Sequence, residues 1–183
     1  MLRDNRNRSF LTADPCRILS AMKTLLRTLL YLSLIVWLGA EVFFPVVAAV
    51  SFMTQPDTHL AGTIVGHLLR ILHSMGLVSG VVALALLALA PAWNIYKPRT
   101  VLAPMALLVI MLACTAYSQF VIIPAMERDR IAAGGAIDTA DRTNAITLHF
   151  DALHDRSTYV EEAVLLLGLA TVVLVARAET VRA

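Results

Sequence analysis

Glu41 stands inside an apolar run that extends over residues 29–52. A carboxylate at the centre of such a run costs about 3 kcal/mol to insert into a bilayer, and it is kept there with a partner or a task. Pro45 lies one turn further on and cannot donate a hydrogen bond to the carbonyl of Glu41, so a free carbonyl and a carboxyl share one turn. Two histidines occur with matching spacing. His73-x-x-Gly76-x-x-x-Gly80 parallels His154-x-x-Ser157-x-x-x-Glu161, and positions i, i+3 and i+7 share one helix face. Two imidazoles with a carboxylate can ligate a transition metal, and two imidazoles alone can hold a haem between helices. His73, His154 and Glu41 form the candidate metal set, and Glu161, Glu162, Gln119 and Ser157 extend it to a ligand-binding cluster. The competing reading is architectural: membrane histidines and carboxyls also serve as hydrogen-bonded packing residues.

Positioning these groups falls to four helices. Hydrophobic residues make up 58% of the chain and charged residues only 15%, against about a quarter charged in an ordinary soluble domain. The apolar residues come in long runs, as in segments surrounded by lipid, so the class is an all-α integral membrane four-helix bundle. A crossing helix needs about 20 mainly apolar residues. Four spans are expected at residues 28–52, 68–92, 101–124 and 157–177, with Trp93 and Tyr96 in an interfacial belt. The fourth run is short, so it reaches back to Ser157 and draws Glu161 and Glu162 into the membrane. Glu41 lies fourteen residues past Arg27, and Glu162 fifteen before Arg177, which puts both roughly 21–22 Å from the same face at the helical rise. Gly76 and Gly80 have the spacing that lets a neighbouring backbone approach closely, and they are the expected packing and self-association face. Pro45 and Pro124 close spans one and three.

Arginine and lysine set the direction. Arg3, Arg6, Arg8, Arg17, Lys23 and Arg27 precede the first span, Lys97 and Arg99 lie between spans two and three, and Arg177 and Arg182 follow the last. The first connection has neither residue type, and acids outnumber bases in the third, over residues 125–156. Both termini are therefore expected in the cytoplasm of a cell with the protein in its inner membrane. Residues 1–24 read as a disordered leader, with Met22-Lys23 resembling an ordinary start. The first apolar stretch is too long and too poorly ended for a cleavable signal. Within residues 125–156, Gly134-Gly135 breaks the chain and Asp138 or Thr139 can cap an amphipathic helix lying on the outer surface. The two matching histidine motifs suggest tandem helical hairpins related by an axis along the membrane normal, with His73 and His154 equivalent.

Cys16 and Cys114 are too far apart in character for a structural disulfide. No phosphate loop, nucleophile motif, Cys-x-x-Cys pair or dinucleotide fingerprint occurs, so soluble-type catalysis has no support and the basic residues read as topology signals rather than a nucleic-acid surface. Trp37-Leu38-Gly39 followed by Phe43-Phe44-Pro45, Pro124 before Arg128 and Arg130, and Phe150-x-x-Leu153-His154-x-x-Ser157 together resemble the transmembrane protein 205-like family, also called domain of unknown function 4149. Glu161 departs from the asparagine common there. The resemblance implies four membrane helices and no settled activity. A more distant resemblance to copper resistance protein D implies copper handling. The expected function is binding or transport of a metal ion or haem at an outer-leaflet His/Glu cluster, for tolerance. A membrane scaffold is the alternative, and a quinone or porphyrin oxidoreductase the third.

Overall fold

Proline and capping residues divide the chain. The computed structural model describes residues 15–135, 137, 141 and 143–181. Helix α1 runs over Pro15–Thr54, α2 over Thr58–Leu89 and α3 over Pro98–Tyr117; a π turn over Ser118–Ile122 leads into α4, Ile123–Ala132; and α5 covers Ala145–Thr180. Asp57 caps α2 by accepting from the His59 and Leu60 backbone amides at 2.9 and 3.2 Å, and Asn144 caps α5 by accepting from that of Ile146 at 3.0 Å, which satisfies amides that have no partner within the helix. Pro98 opens α3, where its missing N–H costs nothing. Gly134 and Gly135 turn the chain after α4 at φ +75° and +93°, a region closed to most side chains.

The described residues contain four helices long and apolar enough to cross a membrane. Each packs on its neighbours in the ring α1–α2–α3–α5, and the closing edge between α5 and α1 is the most sparsely packed. Trp37, Leu34, Leu87, Leu108, Met111, Val164 and Val175 fill the interior and are almost wholly buried. Outward, Ile35, Val78, Val109 and Val173 are more than half exposed, a surface that water would not tolerate over this extent and lipid does.

Several boundaries differ from those read in the sequence. Residues 15–24, expected within the leader, belong to α1, because Ile18, Leu19 and Met22 carry the apolar run one further stretch toward the N-terminus; residues 1–14 lie outside the described residues. Helix α2 starts ten residues before position 68, at its Asp57 cap. Asp138 and Thr139 lie outside the described residues, and Asn144 caps instead. Helix α5 is one uninterrupted helix, so the segment expected to be amphipathic is continuous with the fourth span.

Tyr96 also departs from the interfacial role. It is 4% exposed and its hydroxyl donates to Glu179 Oε1 at 2.5 Å, while the Arg27 guanidinium lies 3.6 Å from the same carboxylate and 6.0 Å from the Tyr96 ring centroid. Burial, followed by the Glu179 carboxylate, raises the Tyr96 phenol above its ordinary range. A raised folded-state value favours the neutral phenol, so its stabilisation is complete below the unfolded pKa and fades only as pH rises through the folded one. Tyr96→Phe is therefore expected to lower thermal stability in mild detergent by about 1 kcal/mol at neutral pH. In an alkaline absorbance titration Tyr96 should be the last tyrosine to ionise; co-titration of all four would contradict the buried bond.

Candidate functional site

The site begins with a tryptophan. Trp37 on α1 lies against Gly76 and Gly80 of α2, so closely that a Cβ on Gly76 would stand 2.5 Å from its Nε1 and one on Gly80 would overlap its ring. Gly76 and Gly80 therefore form a socket for an indole rather than a contact between backbones. The socket also buries the face expected to mediate self-association. With the ring fixed, Trp37 Nε1 donates to Glu41 Oε1, four residues on, at 3.1 Å.

Glu41 is 5% exposed and lies against Glu161 of α5, near enough for the two carboxyls to hydrogen-bond and to feel each other's charge. Glu161 Oε1 is 2.6 Å from His73 Nε2 on α2 and accepts from the Ser118 hydroxyl at 3.2 Å. Its Oε2 is buried without a hydrogen-bond partner. His73 is fully buried, and its Nδ1 faces Gln119 Oε1 at 3.2 Å. Both ring nitrogens thus face oxygens; a neutral imidazole requires the Gln119 amide turned over to offer its NH2 group.

The π turn explains how α3 serves two partners. Pro124 has no N–H, and its ring crowds the carbonyl four residues back. The helix answers by widening over Ser118–Ile122, with the Ile123 amide donating to the Ser118 carbonyl. The wider turn presents two successive side chains inward, Ser118 to Glu161 and Gln119 to His73. One polar network thereby joins α1, α2, α5 and the turn after α3.

Above the network lies a cavity of about 690 Å³ between α1, α2 and α5, roofed by α4 and Ile137. Glu41 and Glu161 form its floor, Phe44, Phe52, Val65 and Leu69 are among its walls, and Arg130, His59 and Phe150 stand near its other end. Arg130 crosses Gly62 and Gly66, lies 5.9 Å from the Phe150 ring centroid and approaches Glu127 at 3.5 Å.

The network thus unites Glu41, His73, Gln119 and Glu161 of the sequence-expected residues. Ser157, Glu162 and His154 line the cavity above it. His154 is exposed, seven residues before Glu161, roughly 10 Å higher at the helical rise. His73 sits beside Glu161, not level with His154, so the expected equivalence of the two histidines is not observed. Nor do His73, His154 and Glu41 converge: among the described residues no group of three or more His, Cys, Asp or Glu side chains is placed to hold a metal ion. Pro45 lines the cavity beside Glu41, and Pro124 sets the π turn. Trp37 and Ser118 were not singled out for this role in the sequence, nor was Gly168, where a Cβ would overlap Leu38. Trp37 was legible in principle, one helical turn before Glu41 on the same face.

A ring of four apolar helices enclosing a network of carboxyls, imidazole and amide defines a multi-pass membrane protein with a polar centre. The chain belongs to the family described as domain of unknown function (DUF4149), which matches residues 32–131. That stretch covers most of α1 and all of α2 to α4, nearly to its end; α5, with Glu161 and the Phe150–Ser157 element, lies beyond it. No curated protein and no solved structure matches the chain.

Proposed function

We propose that this membrane protein binds an amphipathic organic cation in the cavity, with the charged end on Glu41 and Glu161 and the apolar part along α1, α2 and α5. The observation that carries this reading is Glu41. Its carboxyl is almost wholly buried, takes a single donor from Trp37 and forms part of the floor of a mainly apolar cavity. Volumes of about 300–1,000 Å³ with apolar walls and a few convergent polar groups are those of small-molecule sites. The charge balance selects the sign. Among the described residues, Glu41, Asp151, Glu161 and Glu162 line the cavity against one guanidinium, that of Arg130, which has Glu127 beside it. Phe44, Phe52 and Phe150 add ring faces that attract a cation.

A metal-handling role, which likeness to copper resistance protein D would imply, draws on one imidazole in the network, and its two nitrogens are engaged. The arginine and lysine distribution favours both termini in the cytoplasm of the inner membrane and the cavity in the outer half. On this reading the ligand is bound from the extracytoplasmic side or the outer leaflet.

Three probes with one tail test the head chemistry: dodecyltrimethylammonium, dodecanol and dodecanoate, added to the protein in lipid nanodiscs. With Trp93→Phe leaving Trp37 as the emitting indole, the cation is expected to shift its fluorescence saturably and to raise the thermal midpoint. Dodecanol should do so weakly and dodecanoate not at all. Equal responses to all three, or none, would overturn the proposal and leave the network an architectural one.

A further inference from the structure

The carboxyl pair poses a problem of charge. Glu41 and Glu161 come from different helices to one place, and among the described residues neither is ion-paired with a lysine or arginine. His73 is the one group in the network able to carry positive charge, and an imidazolium there balances one carboxylate. A second carboxylate beside the first would be an uncompensated like charge in apolar surroundings, which is strongly disfavoured.

The hydrogen bonds point the same way. Glu161 Oε1 already receives His73 and Ser118, yet Oε2 is buried with no donor. The adjacent group able to supply one is the Glu41 carboxyl, and it donates only when it carries a proton. A shared proton satisfies both the unpartnered oxygen and the excess charge.

Resting on the cation-binding reading above, we propose that the Glu41–Glu161–His73 network gives up one proton for each cation it binds, making the site a proton-for-cation exchanger. The incoming charge replaces the proton's. The carboxyl O–H bond breaks with its electron pair left on oxygen, and water at the cavity's open end takes the proton, so total charge is conserved. The geometry gives the proton one way out: below the network Trp37, Leu34 and Leu30 are packed almost without exposure, whereas above it the cavity is open.

Other groups bear on the exchange. Helix α1 presents Glu41 alone, α2 presents His73 and, higher, His59. The π turn contributes uncharged Ser118 and Gln119, and α4 contributes Arg130. Helix α5 adds Asp151, His154 and Glu162 above the pair. His59 and His154, at the open end, are separable from the network by mutation.

Isothermal titration of the full chain in nanodiscs with dodecyltrimethylammonium tests the proposal in two buffers of different ionisation enthalpy at one pH. The probe's charge is fixed, so protons that appear come from the protein. The expected result is about one proton released per cation, with affinity rising as pH rises. Binding with the same heat in both buffers overturns the exchange while leaving the cation site intact; no binding overturns both. Glu41→Gln keeps the shape and removes the shared proton, and it should abolish the release and weaken binding at least tenfold. Undiminished release from that variant places the source elsewhere and overturns the assignment.

Discussion

Replacing His73 by leucine is expected to lower the stability of the detergent-purified protein by on the order of 3 kcal/mol, as when one partner of a buried charged pair is removed. The residue is fully buried, and its Nε2 makes the shortest contact to Glu161, at 2.6 Å. Without it, Glu161 Oε1 keeps only the Ser118 hydroxyl and Gln119 loses its partner. The diagnostic measurement is the double variant. His73→Leu with Glu161→Leu removes both polar groups together, and should recover most of the lost thermal midpoint, because an apolar pair of similar volume is close to neutral. Additive losses would mean that the two side chains do not depend on each other.

The second large effect belongs to Gly80. Its missing Cβ is the space that the Trp37 ring occupies, and Leu112 Cδ2 would stand 2.7 Å from an added Cβ. Gly80→Ala should therefore cost about 1–3 kcal/mol by overpacking. Trp37→Leu in the same chain should relieve much of that cost, though it also removes the donor on Glu41. A glycine at this place serving only as a flexible point would show no such coupling. Because Trp37 orients Glu41, the Gly80→Ala variant should also weaken dodecyltrimethylammonium binding, linking a packing change to the site.

The four spans were legible because charge is excluded from long intervals: none of Asp, Glu, Lys or Arg occurs between Arg70 and Lys97 or between Arg99 and Glu127, and no alternative solvent explains that. Glu41 and Glu161 were legible for the same reason in reverse, as polar groups where polar groups are costly. Depth was harder. His73 and His154 share a motif, but a motif fixes spacing along one helix and not the height of one helix against another, which here depends on caps at Asp57 and Asn144. Gly76 and Gly80 were recognised as a point of close approach, but the approaching group is an indole four residues from an acid on another helix. The π turn was hidden because Pro124 acts on the carbonyls before it. Ser118, an unremarkable residue in the sequence, is aimed inward by that backbone change.

The sparsely packed edge between α1 and α5 has a consequence for dosage. The cavity is lined from both helices of that edge, so the proposed amphipathic cation would reach it after partitioning into the leaflet, and the concentration governing occupancy would be the amount per lipid rather than the amount per litre. Apparent potency measured against the aqueous dose will fall as more lipid is added, even though the affinity itself is unchanged.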